Sequence, residues 1–233
     1  MYFSRVRIDS EALDRNALFR LLQGDAYGNH QLLWRLFPDA DRRPFLFRQE
    51  LERDAGIRDE TPRGLPLFYV LSDIEPQPVP GLLHCDTKPF NPVLLAGQRL
   101  AFHLRANPTV AKRDEQRKNP RRHDVLMDAK AAARREGVTD DGAIRERMDE
   151  AGRAWLRDEE RAARCGYALE TEPQVSGYQQ HVHRRKGREI RFSSLDYEGL
   201  LTVTDPGRFQ ATLARGIGHS RAFGCGLWLI RRA

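Results

Sequence analysis

From Arg99 to Arg232 the hydrophobic pattern changes period several times, and the order of those changes limits the folds open to the chain. Arg99 to Asn107 reads as a strand closed by the turn signal Asn107-Pro108. Val125 to Glu136 reads as a short helix that ends at Gly137. Asp140 or Asp141 caps a longer helix, with Ile144, Met148, Ala151, Trp155 and Ala162 on one face and Gly166 as its stop. Val175–Arg184 and Glu189–Thr204 read as two strands around the polar link Arg184-Arg185-Lys186-Gly187-Arg188, whose glycine is a hairpin signal. Asp205-Pro206 sets an N-cap before a proline at the first helical position, and Phe209 and Leu213 give that helix an apolar side. Gly226 to Arg232 is a last strand.

Strand, helix, strand, strand, helix, strand is the ferredoxin-like order. The first part of the chain follows a reduced version of it. Residues 2–8 alternate as a strand, and Ser10 caps a helix carrying Leu13, Ala17, Leu18 and Leu21 that ends at Gly24. Leu32, Leu33 and Leu36 mark a short helix that stops at Pro38. Pro44–Leu51 and Leu65–Leu71 read as strands, residues 74–81 as a proline-rich loop, and Leu82–Phe90 as a return to the sheet. The expected fold class is therefore α+β, with two tandem ferredoxin-like (RRM-like) domains, residues 1–92 and 93–233. No sequence repeat links the two parts, so the duplication rests on element order.

The 233 residues carry a formal net charge of +6. A basic excess favours polyanionic partners. Its placement sharpens that reading, because basic residues gather in two stretches. One holds Lys112, Arg113, Arg117, Lys118, Arg121 and Arg122 and reads as a mobile loop; the other is the 184–188 hairpin tip. Arginine forks suit phosphates and guanine edges. The three cysteines, Cys85, Cys165 and Cys225, are far apart and form no Cys-x-x-Cys pair, which argues against a disulfide framework or a structural zinc site and fits a reducing cytoplasm. Tyr2–Ile8 alternates and is interrupted by charge, unlike a secretory leader, and no apolar run approaches the length of a membrane span.

Two stretches carry candidate chemistry. Gln23-Gly24-Asp25-Ala26-Tyr27-Gly28-Asn29-His30 lies between helical patterns and reads as a glycine-flanked loop. His30 suits proton movement near neutral pH, and the Tyr27 phenol can hold or donate a proton beside it. On spacing alone the plainer alternative is a packed tyrosine and a solvated histidine. The second stretch, residues 216–226, contains Gly216, Gly218, Ser220, Arg221, Gly224 and Gly226. Successive N–H groups there can form an anion nest, and the glycines allow a phosphate to come close. It lacks the Gly-Lys-Ser/Thr of a Walker loop, and it runs from helix into strand, the reverse of a dinucleotide fingerprint. The plainer alternative is a turn with unusual backbone angles. His181 and His183 share a strand face without a third metal ligand at suitable spacing.

Tyr27-Gly28-Asn29-His30-Gln31-Leu32-Leu33-Trp34-Arg35-Leu36-Phe37, Phe45-Leu46-Phe47-Arg48, Leu104-Arg105-Ala106-Asn107-Pro108, and the 216–226 loop followed by Leu227-Trp228-Leu229-Ile230-Arg231-Arg232 together resemble the CasE family. These are the repeat-processing endoribonucleases of subtype I-E CRISPR systems. The resemblance spans nearly the whole chain in the right order. It implies tandem ferredoxin-like domains and metal-independent cleavage, without a cofactor, at the 3′ side of a repeat hairpin. The ribose 2′-hydroxyl attacks the adjacent phosphate and leaves a 2′,3′-cyclic (or 3′) phosphate and a 5′-hydroxyl. His30 matches the family's catalytic histidine and Tyr27 its partner, with base and acid left open. Arg184, Arg185, Lys186 and Arg188 match the hairpin that grips the RNA stem, while the 111–122 stretch has no clear counterpart. The implied partners are CRISPR repeat RNA in hairpin form and other Cascade subunits, with no membrane, and a monomer is expected in isolation. The alternative is a non-catalytic hairpin-RNA-binding subunit drawing on the same basic surfaces.

Overall fold

A computed structural model describes residues 1–9, 12–13, 16, 26–53, 62–112, 121–185 and 188–233. They divide into two units: Met1–Val93 with Arg221–Leu227, and Leu94–Ser220 with Trp228–Ala233.

In the first unit, strand β1 (Tyr2–Ile8) buries Ser4, Val6 and Ile8 and exposes Arg5, as its alternation predicts. Helix α1 (Ala26–Trp34) follows, then β2 (Phe45–Arg53), β3 (Pro62–Ser72) and β4 (Leu83–Pro89). The sheet order is β2-β3-β1-β4, antiparallel throughout. This is the ferredoxin-like arrangement with one helix missing: residues 73–82, between β3 and β4, contain none. The helix expected over 10–24 lies largely outside the described residues.

Helix α1 corrects the reading of the Tyr27–His30 stretch as a loop. Leu32, Leu33, Leu36 and Phe37 pack with Val6, Ile8, Phe45, Phe47, Phe68 and Val70 in one core. Burying a leucine contributes roughly 1.5–3 kcal/mol, more than the roughly 1 kcal/mol that Gly28 costs inside a helix. The buried Asn29 extends the inward face by a turn, its Nδ2 donating to Gln49 Oε1 on β2 at 2.7 Å.

In the second unit β5 (Arg99–Ala106) buries Leu100, Phe102, Leu104 and Ala106 on alternate positions. Strands β6 (Thr109–Lys112) and β7 (Arg121–Asp124) pair with each other. The basic stretch predicted as a loop thus has paired strands at both flanks; residues 113–120 lie outside the described residues. Asp124 caps α2 (Val125–Arg135) by accepting from the N–H groups of Leu126 and Met127. Asp140 caps α3 (Asp141–Arg157) through the N–H of Ala143. The single helix expected as far as Gly166 is in fact two. Asp158 leaves helical backbone angles, and its carboxylate accepts from Arg161 N–H to start α4 (Glu159–Cys165).

Strand β8 (Tyr167–Leu169) is three residues long, too short to show a period. Strands β9 (Gln174–Arg185) and β10 (Arg188–Val203) form the expected hairpin. Helix α5 (Pro206–Arg215) starts at the Asp205-Pro206 cap, and β11 (Trp228–Arg232) completes the sheet in the order β11-β5-β10-β8, with β9 also on β10. Phe102, Tyr167, Phe209 and Trp228 form its aromatic centre. Among the described residues no helix is long and apolar enough to cross a membrane.

Candidate active site

Tyr27, His30 and Trp34 follow one another at helical spacing along α1, beside the stripe that enters the core. Tyr27 and His30 are half-buried. The His30 ring lies among aromatic neighbours: Phe45 at 5.7 Å between centroids, Phe47 at 6.5 Å, and Trp34 edge-on at 6.2 Å. The Trp34 indole N–H donates to His30 Nε2 at 3.0 Å. A neutral ring accepting at Nε2 carries its proton on Nδ1, and that atom is buried without a hydrogen-bond partner among the described residues.

Charge completes the setting. Burial, and secondarily the neighbouring Arg43 guanidinium, hold the His30 imidazole down at about 4. Arg43 is itself half-buried, and burial together with the like charge of Arg221 lowers its own proton affinity. Arg221 opens a 3-10 turn, Arg221–Phe223, that lies against α1 and β2. The site of the first unit therefore brings together an imidazole that is neutral at pH 7, a phenol on the same helix, and two guanidinium groups.

Arg221 belongs to the glycine-rich loop. Gly216, Gly218, Gly224 and Gly226 all adopt positive φ, and so does Ser220 at 56°. A Cβ on Gly224 would stand 3.3 Å from the Phe47 ring, and Phe47 is a neighbour of His30. Within the second unit, Asn107 Nδ2 donates to Ser220 Oγ at 2.7 Å, so this hydroxyl fixes the loop. Lys112 ends β6, exposed and ion-paired with Asp128. Arg184, Arg185 and Arg188 stand at the β9–β10 tip, where Arg185 and Arg188 are paired in the ladder. Arg113 and Lys186 lie outside the described residues. His181 stacks on Phe192 at 4.5 Å and bonds Ser194 Oγ at 2.9 Å, which makes it a part of the hairpin's packing. Among the described residues no three His, Cys, Asp or Glu side chains converge as a metal site would require.

Sequence reading missed Arg43 and Trp34. Trp34 was legible at four residues from His30. Arg43 stands two and four residues before the phenylalanines that line the ring, but its meaning depends on knowing that β2 lies under α1.

Two antiparallel α+β units, both with ferredoxin-like strand order, define the class of this protein. The family model described as CRISPR associated protein matches residues 1–232. The chain is 31% identical over 210 residues to the CRISPR-associated endoribonuclease Cse3 of Thermus thermophilus, covering 86% of this chain and 79% of that one. It is 30% identical over 221 residues to the CRISPR system Cascade subunit CasE of Escherichia coli, covering 92% and 96%. A solved structure of the CRISPR endoribonuclease Cse3 bound to a 19-nucleotide RNA superposes with a TM-score of 0.67 at 27% identity, over 99% of this chain and 100% of that chain. The chain belongs to this CRISPR-associated family.

Proposed function

We propose that this protein is a metal-independent endoribonuclease that cuts CRISPR precursor RNA at the 3′ side of the repeat stem-loop and then stays with the mature guide RNA in a Cascade complex, in the cytoplasm. The observation that supports it most directly is the histidine beside Tyr27, neutral at pH 7 and flanked by arginine, in a chain related throughout to Cse3 and CasE. In the reaction the 2′-oxygen bonds to phosphorus and the bond from phosphorus to the 5′-oxygen breaks. One proton leaves the 2′-hydroxyl and another reaches the departing 5′-oxygen. An imidazole held neutral is in the form that accepts a proton, so His30 is assigned the base and Tyr27 the acid. To take that proton, His30 exchanges the Trp34 hydrogen bond at Nε2 for the substrate hydroxyl, or presents Nδ1 as its unprotonated nitrogen. The arginines at the β9–β10 tip are assigned to the RNA stem. The deep, narrow groove of duplex RNA favours recognition by shape and phosphate.

The test is single-turnover cleavage of repeat hairpins in EDTA with end-group analysis. Wild-type protein gives a 2′,3′-cyclic or 3′ phosphate and a 5′-hydroxyl, and His30→Ala slows the step roughly 10²–10⁴-fold while binding persists. A hairpin with a 2′-deoxy sugar at the cut is bound uncut. Full activity of His30→Ala, or strict Mg²⁺ dependence, overturns the assignment. Binding without cleavage of any repeat identifies a hairpin-binding subunit instead.

A further inference from the structure

Arg43 stands apart from other half-buried arginines among the described residues. Arg105 is held bidentately by Asp196 at 2.8 and 2.7 Å, and the buried Arg48 pairs with Glu50. Among the described residues no carboxylate neutralises Arg43; the charge it meets is the like charge of Arg221. A half-buried guanidinium with no carboxylate beside it is a ready partner for an anion.

Arg43 lies just before β2, the strand beside His30. Pro44 follows it and restricts it to extended conformations. The Pro44 carbonyl accepts from Asp73 N–H at 2.9 Å, and Phe45 pairs with Ser72, so the β2 ladder begins there. Side chains two apart on an extended strand share a face, which places Arg43 in line with Phe45 and Phe47, the rings that line His30. The 3-10 turn bearing Arg221 lies against the same strand. Arg43 thus stands just before a strand whose start is held by a backbone hydrogen bond and a ladder pair.

We propose that Arg43 is a catalytic residue: its guanidinium contacts a non-bridging oxygen of the scissile phosphate and offsets the negative charge that builds up as the 2′-oxygen adds to phosphorus. This rests on the endoribonuclease reading. Arg43 neither gains nor loses a proton; the protons move through His30 and Tyr27 as already balanced. The planar fork of arginine fits a phosphate face, and a fixed donor gains most where charge develops.

The experiment compares wild type, Arg43→Gln and Arg43→Lys on a repeat hairpin at pH 8, where His30 is neutral in all three, so that a rate loss there does not come from the His30 charge. Arg43→Gln slows single-turnover cleavage roughly 10²–10³-fold, the scale of losing one donor to a developing oxyanion. Its affinity for the uncleavable 2′-deoxy hairpin falls less than about tenfold, the loss of one rather than several phosphate contacts. Arg43→Lys recovers part of the rate. Sulfur in place of a non-bridging oxygen at the cut slows the wild type but adds little to the Arg43→Gln defect, because both changes remove one contact. Wild-type rate in Arg43→Gln, a rate loss matched by an equal affinity loss, or independent sulfur and glutamine effects each overturn the proposal. A wild type inert on every repeat hairpin overturns instead the endoribonuclease reading beneath it.

Discussion

The indole N–H of Trp34 donates to Nε2 of His30 at 3.0 Å, one turn along the same helix. A donor at that nitrogen stabilises the neutral ring and opposes its protonation, in the same direction as burial and Arg43. Trp34→Phe removes the donor and opens the ring to water, and both changes raise the His30 pKa from about 4. A hydrogen bond worth roughly 1 kcal/mol corresponds to a shift of up to about one pH unit. Following the imidazole C–H signals by NMR through a pH titration measures it. An unchanged or lowered value shows that the bond does not govern His30.

The same depressed value gives two pH dependences with a fixed sign. Between about 4 and 6.5 the folded protein holds fewer protons on His30 than the unfolded chain does. The stability contributed by His30 is therefore complete above 6.5 and lost as pH falls towards 4. Urea midpoints drop across that window in the wild type, and the drop is shallower in His30→Gln. For cleavage below saturating RNA, the acid limb breaks well below 6.5 if the neutral ring is the base. A break at or above 6.5 contradicts the low value, and a rate that rises on acidification makes His30 the acid.

The ferredoxin-like order was legible because its long elements declare their period. The 16-residue strand β10 and the capped start of α5 at Asp205 are examples. Three features were not. The short strand β8 has no room for a pattern, and it exists because β10 offers an edge at Leu201–Val203. The break at Asp158 is a local contest between helix continuation and a carboxylate cap, and propensity over a long window averages it away. The helical state of Tyr27–His30 was hidden by Gly28, whose local cost is outweighed by tertiary burial of Leu32 and Leu33. Tyr27 and His30 were visible as a pair, whereas Arg43 and Arg221 join them only once α1, β2 and the 3-10 turn are brought together.

The glycine-rich loop offers a test that separates backbone strain from site geometry. Gly224 and Gly97 have nearly the same positive φ, 83° and 80°. Alanine at either position costs roughly 1–2 kcal/mol for the left-handed backbone. A Cβ at Gly97 meets nothing within 4 Å, while one at Gly224 stands 3.3 Å from Phe47. Because Phe47 lies against His30, Gly224→Ala loses cleavage rate in single turnover, whereas Gly97→Ala loses only stability. Equal and unaffected rates in the two variants would detach the loop from the site.

The arginines of the β9–β10 tip make a prediction about salt. Each phosphate neutralised by a protein cation releases condensed counterions, so affinity falls with log salt at a slope of roughly 0.7–0.9 per contact. Replacing Arg184, Arg185 and Arg188 together by glutamine removes up to three such contacts. The slope for a repeat hairpin then flattens by roughly two units, and affinity drops most at low salt. Cleavage of RNA already bound proceeds at the wild-type rate if these residues serve only to grip the stem. Filter binding across a salt series, paired with single-turnover cleavage at saturating protein, reads both quantities. If slope and affinity stay where they were, the grip on the stem lies elsewhere, and the paired β6–β7 strands with Lys112 become the next surface to change.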